Sequence, residues 1–274
     1  MTRTDAPGVV VVRGAGDIAT GAIQKLAHAG FKVLALEVAS PMAIRWKAAL
    51  CAAVEHGEWP VEDLVGVRVD SLAEAENVWA SVGARTKARI DPAQGTTGVL
   101  ENRPYRVPVL VDPDASILTR ITPWAVVDAV LAKRNVGTTI DMAPVVVALG
   151  PGFEAGTDCH FVIETMRGHD LGRVIADGPA LPNTGIPGLI AGRAAERVVH
   201  SPASGRVRVI KGIGDIVDAD EPVCVIEPSV ESAALDAEYR RRLSTHQPDP
   251  AAPPASTQAR ASIAGVIRGM IPDG

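Results

Sequence analysis

The chain has 274 residues, of which 47% are hydrophobic and 22% charged, a composition typical of a globular protein with two or three modules. Its net charge of −5 excludes broad electrostatic capture of nucleic acid, which needs a concentrated excess of Lys and Arg. The first residues do not have the pattern of a secretory signal, and no apolar run reaches the roughly 18 residues of a membrane span, so we expect a cytoplasmic protein with no membrane partner.

In the first half of the chain, short β-branched runs alternate with amphipathic segments of helix length, which predicts a mostly parallel sheet covered by helices. The predicted strands are Val9–Val12, Val33–Leu36, Val65–Val69 and Val107–Val111. The predicted helices are Asp17–Ala29, Met42–Glu55 and Ser71–Val82. We therefore expect an α/β fold with a Rossmann-like nucleotide-binding domain over residues 1–125.

The first motif with chemical meaning is VVVVRGAGDIATGAI, a strand that runs into glycines and then a helix. Gly14, Gly16 and Gly21 suit a turn in which backbone N–H groups and a helix N-terminus meet a phosphate. Glu37 ends the next strand, where a carboxylate can accept hydrogen bonds from ribose hydroxyls. Asp17 is interpreted first as a helix cap. These five residues are the predicted cofactor-binding group, with a tight βα turn that holds no ligand as the alternative.

The segment from residue 126 to 195 has a different texture, with strand-like pieces between glycine-rich loops, and predicts an α+β region. Its loop at Gly150 and Gly152 is the second predicted cofactor-binding element. In HFVIET, a strand would separate the backbones of His160 and Glu164 by about 13 Å, so we expect an extended ligand surface and no metal site. The turn MRGHD adds Arg167 and His169, a guanidinium for anions and an imidazole for proton transfer.

The last segment, residues 196–274, predicts a small all-β module. Its SPASG and GIGDIVDADEPVCVIE stretches resemble half of a biotinyl- or lipoyl-type barrel-sandwich domain. The carrier lysine of such domains is missing and Lys211 lies in the wrong place to replace it, so we expect no covalent cofactor. Residues 228–260 are rich in Pro, Ala and Ser and are interpreted as an exposed insertion.

The three cysteines are odd in number and far apart, which excludes a disulfide framework and a zinc knuckle. Cys51 and Cys224 are interpreted as small buried hydrophobic residues. Cys159 has the same default interpretation, with a soft metal ligand or a nucleophile as the alternative.

Several of these segments together resemble the selenium-dependent molybdenum hydroxylase system protein YqeB family, across most of residues 8–227. The resembling motifs are VRGAGDIATGAI, PVLVDPDA, VVDAVLAKRNVGTTI, DMAPVVVALGPGF, AGTDCHFVIETMRGHDLGRVI, PNTGIPG and GVIRGMIPDG. The resemblance implies an accessory factor, akin in role to the XdhC-type factors that help to insert a mature molybdenum cofactor, with an apo-molybdenum hydroxylase as partner. It also implies a ligand-binding role for five residues: His160, Glu164, Arg167, His169 and Arg173.

Three functions follow from these observations. In the first, the chain is a maturation factor that binds the molybdenum cofactor, in its dinucleotide form, between the two glycine loops. In the second, it is an NAD(P)-dependent oxidoreductase in which Gly14–Glu37 holds the cofactor and His160 or His169 is the acid or base. In the third, it is a scaffold whose C-terminal module docks partners. A homo-oligomer is compatible with each.

Overall fold

The computed structural model describes residues 8–81, 104–185, 188, 192–203, 205–227, 256–261 and 265–267. The chain divides into two compact units. The first unit comprises residues 1–41 and 47–183, and the second comprises residues 42–46 and 184–274. The first unit contains the glycine loops and the HFVIET segment.

A nine-stranded sheet forms the first unit, in the order β10-β9-β7-β6-β1-β2-β5-β4-β3. All neighbouring strands are parallel except β3 with β4 and β9 with β10, which are antiparallel hairpins at the two ends of the sheet. A separate pair, β8 with β11, is also antiparallel. The strands are β1 (Val9–Arg13), β2 (Lys32–Glu37), β3 (Glu58–Val61), β4 (Leu64–Val69), β5 (Tyr105–Val111), β6 (Ala125–Asp128), β7 (Val146–Leu149), β8 (Glu154–Ala155), β9 (Phe161–Ile163), β10 (Val174–Ile175) and β11 (Gly178–Pro179).

Few helices occur among the described residues of the chain. They are α1 (Asp17–His28), the one-turn α2 (Ala53–His56) and α3 (Leu72–Ser81), with short 3-10 turns at Trp46–Ala48, Leu50–Ala52, Ser116–Thr119, Ile140–Met142 and Ala195–Arg197. The chain is therefore a mixed α/β protein with a large, mostly parallel sheet. None of the helices in the described ranges has the length and apolar content needed to cross a bilayer.

The four predicted strands of the first half are confirmed, as are the helices predicted at Asp17–Ala29 and Ser71–Val82, apart from Val82, which lies outside the described residues. The helix predicted at Met42–Glu55 is wrong. Leu50 donates its N–H to Thr20 Oγ1 at 3.0 Å, and Cys51 donates to the carbonyl of Ala15 at 2.8 Å. These bonds to the first turn of α1 and to the loop before it take the place of helical i→i−4 bonds and leave two 3-10 turns before α2.

The order of the strands reverses at β1. The chain leaves β1 for β2 on one side, and β6 later joins β1 on the other side. The carboxyl ends of β1, β2, β5, β6, β7 and β9 all lie on one edge of the sheet because these strands are parallel. In open α/β sheets, ligands bind in the crevice where the strand order reverses, so a ligand is expected at this edge. The sheet also runs across the division predicted at residue 125, where β6 begins.

The second unit contains two small antiparallel sheets. One has the order β12 (Arg206–Val209), β14 (Pro222–Glu227) and β15 (Thr257–Arg260), and the other pairs β13 (Ile216–Val217) with β16 (Gly265–Val266). Residues 228–255 of the predicted insertion lie outside the described residues. Its predicted end at residue 260 is wrong, because residues 257–260 form β15 and pair with β14.

Candidate functional site

Four loops meet at the carboxyl edge of β1, β6, β7 and β9, which are neighbours in the sheet. We call them the β1 loop (Gly14–Gly16), the β6 loop (Ala129–Thr138), the β7 loop (Gly150–Gly152) and the β9 loop (Glu164–Arg173). Neighbouring strands lie about 4.8 Å apart, so all four loops begin within roughly 15 Å of one another. Both predicted glycine loops are therefore at one edge, next to the loop that carries Arg167 and His169.

The glycines of the β1 loop have two different environments. Gly14 has φ +91°, and a Cβ there would lie 2.9 Å from the carbonyl oxygen of Ala129. Gly14 is therefore required by the packing of the β6 loop. Gly16 is the N-cap of α1, with extended backbone and no side-chain cap, and a Cβ added to it would have no atom within 4 Å. Gly21 lies one turn further along α1, is exposed and is similarly open.

Carboxyl groups surround the β1 loop. Glu37 accepts hydrogen bonds from the N–H of Ala15 at 2.8 Å and of Val38 at 2.9 Å. Burial raises the pKa of the Glu37 carboxyl, and these two hydrogen bonds offset only part of the effect. Asp17 is the first residue of α1, so the interpretation of Asp17 as the cap is wrong, because Gly16 takes the cap position. A backbone N–H that a phosphate could use is thus bonded to a carboxylate.

Cys51 lies close to these carboxyl groups. Its side chain is buried, as predicted, and burial raises the pKa of the thiol to about 12, with further contributions from the charges of Glu37 and Asp17. Cys159 and Cys224 are also buried free thiols, and burial raises the pKa of Cys159 to about 11. All three thiols are therefore protonated near neutral pH, and the default interpretation of Cys159 fits its environment.

A buried ion pair lies beneath the β6 loop. Arg13, which is 4% exposed, ends β1, and Asp128, which is 0% exposed, ends β6; Arg13 Nη1 is 3.3 Å from Asp128 Oδ2. The Thr138 hydroxyl accepts a hydrogen bond from Arg13 and donates to Asp128 Oδ2 at 2.5 Å. Arg13 Nη2 donates to the carbonyls of Pro113 at 3.3 Å and Val136 at 3.1 Å. The pair therefore connects β1 and β6 to the end of the β6 loop and to the segment that follows β5.

The β6 loop is held between the two glycine loops. Gly152 has φ +106°, and a Cβ there would lie 2.5 Å from the backbone nitrogen of Arg134. A Cβ on Gly150 would lie 2.6 Å from Thr165 Oγ1 and 3.4 Å from Leu131 Cδ2. The β7 loop thus packs directly on the β6 loop and on the start of the β9 loop, and the close approach is to groups of the same chain.

Glu164 organises the β9 loop from inside. It is 3% exposed and accepts hydrogen bonds from the N–H groups of Leu181 at 2.8 Å and Met166 at 2.7 Å. Burial alone would raise the pKa of its carboxyl, but these N–H groups and the charge of Arg173 outweigh burial, so the pKa lies below its ordinary value of 4.5. The side chains of Arg167, His169 and Arg173 are exposed, and Arg173 Nη1 lies 3.9 Å from Asp170 Oδ1.

His160 lies at the opposite edge of the sheet, because it precedes β9 whereas Glu164 follows it. Its Nδ1 accepts a hydrogen bond from the N–H of Val146 at 3.0 Å, which leaves Nε2 as the N–H donor of the neutral ring. It lines a cavity of about 520 Å³ together with Leu118, Ile121, Thr122, Pro123, Ile140, Asp141, Met142, Ala143 and Pro144. Of the five residues implied by the resemblance, the structure thus brings four to the carboxyl edge and separates His160 from them.

Sequence reasoning did not identify the Arg13–Asp128 pair or the cations of the β6 loop. The signal for the pair is a charged residue at the end of each of two apolar strands, VVVVR and AVVD. Buried charges of this kind require partners, so each predicts the other. Among the described residues, no three His, Cys, Asp or Glu side chains are grouped in a way that could hold a metal ion.

The chain is 44% identical over 236 residues to "Uncharacterized protein YqeB" of Escherichia coli (strain K12). The match covers 86% of this chain and 39% of that relative, so the chain spans well under half of the relative's length. No family model matches the chain, and no solved structure matches it.

We expect Gly14→Ala and Gly16→Ala to differ in stability. Gly14→Ala combines a left-handed backbone with a contact of 2.9 Å to Ala129 and should lower the free energy of unfolding by about 1–3 kcal/mol. Gly16→Ala meets no atom and should cost less than about 1 kcal/mol as a poorer N-cap. Urea denaturation of both variants measures this, and equal losses would contradict the packing role of Gly14.

We expect Glu164→Ala to lower the free energy of unfolding by about 1–3 kcal/mol, because two backbone N–H groups lose their acceptor. The exposed Arg167→Ala and His169→Ala should stay within about 0.5 kcal/mol of the parent. Because the folded pKa of Glu164 is lowered, its stabilisation is complete above pH 4.5 and is lost as the pH falls through the lowered value. Denaturation across pH 2–7 checks this. A difference in the free energy of unfolding between the parent and Glu164→Ala that does not narrow in acid would refute it.

Proposed function

We propose that the chain belongs to the YqeB family and is an accessory factor in the maturation of a molybdenum hydroxylase. In this proposal it binds a nucleotide, or the molybdenum cofactor in dinucleotide form, at the carboxyl edge of a Rossmann-like sheet, and passes the cofactor to the apo-hydroxylase in the cytoplasm. The supporting observation is the convergence of the β1, β6, β7 and β9 loops where the strand order reverses. The named relative and the motif resemblance support the family.

The surroundings of the β1 loop suit the ring of such a ligand. Gly16 is open at the N-terminus of α1. Three aliphatic side chains near this loop, Ile18, Val38 and Val130, are between 42% and 45% exposed. Apolar side chains beside a few polar groups are typical of small-molecule sites, where they contact the flat faces of rings. We expect the ring of the ligand to lie against these side chains.

An NAD(P)-dependent oxidoreductase is the second candidate. Glu37 ends β2, the position of a ribose-binding carboxylate in dinucleotide-binding folds, and this observation favours it. His169 lies on the β9 loop at the same edge and is the candidate acid or base, whereas His160 is at the opposite edge. The bond from Ala15 to Glu37 favours a ligand whose phosphate lies elsewhere.

We also propose that the second unit is a barrel-sandwich-like module for partner docking. Its two sheets contribute to one small core, which supports this. The buried residues of that core are Val217, Val223, Cys224, Ile226, Ala259 and Ala261.

The test compares thermal protection by a pterin dinucleotide and by NADH. We expect the pterin dinucleotide, and not NADH, to raise the melting temperature of the parent, and Gly16→Val to abolish the effect while keeping its own fold, since the position is open. Ala29→Val is the control, because it enlarges an exposed residue at the opposite end of α1.

Protection by NADH, with its oxidation on adding a substrate, would favour the oxidoreductase. Equal protection of the parent and Gly16→Val would remove the β1 loop from the site.

A further inference from the structure

The two halves of the carboxyl edge carry opposite charges. The β1 loop is flanked by Asp17 and Glu37, whereas the β6 and β9 loops carry Lys133, Arg134 and Arg167, all exposed. The two carboxylates of the β9 loop are engaged elsewhere, because Glu164 accepts from backbone N–H groups and Asp170 Oδ1 lies 3.9 Å from Arg173 Nη1. Within the parts of the chain that the structure describes, no ion pair joins Lys133, Arg134 or Arg167 to a carboxylate. In a chain of net charge −5, this group of cations is a local exception.

The loop that carries Lys133 and Arg134 has a strained backbone and is held by hydrogen bonds near both of its ends. Leu131 and Lys133 have φ of 58° and 61°, in the left-handed region that side chains other than glycine rarely adopt. Asp128 Oδ1 accepts the N–H of Val130 at 3.1 Å, and Arg13 donates to Val136, so the buried pair holds the loop near both ends. Strained conformations persist where the surroundings enforce them, and they cluster at ligand sites.

The third cation comes from the adjoining loop. Gly150 packs against both Leu131 and Thr165, since a Cβ on this glycine would contact both side chains. Arg167 follows Thr165 by two residues, so the β9 loop begins beside the strained part of the β6 loop. The β7 loop therefore joins the loop of Lys133 and Arg134 to the loop of Arg167.

We propose that Lys133, Arg134 and Arg167 bind the phosphate groups of the ligand, and that the β1 loop with Glu37 holds the end of the ligand that donates hydrogen bonds. This inference rests on the proposed nucleotide-type ligand and assigns the orientation of that ligand along the carboxyl edge. A phosphate at the β1 loop would meet Asp17 and Glu37 and would find the N–H of Ala15 already bonded.

The ligand class that fits is a diphosphate ester whose other end carries O–H or N–H donors, such as a ribose diol or an amino-substituted ring. Guanidinium and ammonium groups recognise the phosphates, and carboxylates accept from the donors. This orientation is opposite to the one predicted from the glycine spacing of the β1 loop, which would place the phosphates at that loop.

The test is calorimetric titration of the full chain with inorganic pyrophosphate and with ADP. The double variant Lys133→Gln/Arg134→Gln removes two charges at nearly constant size. Lys25→Gln/Arg120→Gln is the matched control, because both residues are exposed and lie away from the carboxyl edge. Gly16→Val is measured beside them, and melting temperatures confirm that each variant folds.

We expect the Lys133/Arg134 variant to lose at least about 100-fold in affinity for pyrophosphate, since two charge-assisted contacts are removed, and the control to change less than about 3-fold. Gly16→Val should keep pyrophosphate binding and lose ADP binding.

Pyrophosphate binding that survives in the Lys133/Arg134 variant and is lost in Gly16→Val would overturn the assigned direction and leave the proposed function standing. A parent chain that binds ADP and not pyrophosphate would also overturn it. A parent that binds neither of these nor a pterin dinucleotide would refute the proposed function as well.

Discussion

The ion pair between Arg13 and Asp128 is the constraint on which the arrangement of the carboxyl edge depends. Two charges removed from water are costly unless every polar atom is matched, and removing one partner alone is typically more damaging than removing both. Here the matches come from Thr138, Pro113 and Val136, which lie on loops after β5 and β6. The hydrogen bonds that match the polar atoms of the pair therefore also fix the positions of both loops relative to β1.

The glycines of the two loops follow from this constraint. Once the β6 loop is drawn over the ends of β1 and β6, its backbone passes so close to Gly14 and Gly152 that a Cβ at either would collide. In the sequence, the spacing of these glycines indicates contact with a phosphate. In the structure, Gly14 and Gly152 instead allow close contact between loops of the same chain. Gly16 differs, since it faces open space, and it is the glycine through which a ligand can reach the helix N-terminus.

The charge distribution gives the edge a direction. Glu37 accepts hydrogen bonds from the N–H of Ala15 in the β1 loop and from the N–H of Val38, and burial raises the pKa of its carboxyl. Lys133 and Arg134 lie on a strained loop that the buried pair and Gly152 hold in place. A ligand with an anionic end and a hydrogen-bond-donating end would be bound here in one orientation.

Much of the sheet was predictable because its strands are continuous β-branched runs, such as VVVV before Gly14, and α1 because Ala19, Ile23 and Ala27 recur at helical spacing on its buried face. The conformation of Met42–Glu55 was not predictable, because the bonds from Leu50 to Thr20 in α1 and from Cys51 to Ala15 are long-range and override local propensity. The site was only partly predictable, for a similar reason. The strand HFVIET predicts the separation of His160 and Glu164, but only the parallel pairing of β7 with β9 shows which of them reaches the carboxyl edge. Lys133 and Arg134 have the residue types of any surface loop. The role proposed for them rests on the contact of Gly152 with that loop and on the backbone strain, neither of which a single sequence displays.

Amide hydrogen exchange of the full chain, with and without a pterin dinucleotide, tests the central claim most directly. We expect slower exchange on binding in the β1, β6, β7 and β9 loops, with no change at residues 140–144 beside the His160 cavity. Slower exchange confined to that cavity, or unchanged exchange at the four loops under saturating ligand, would contradict a ligand site at the carboxyl edge.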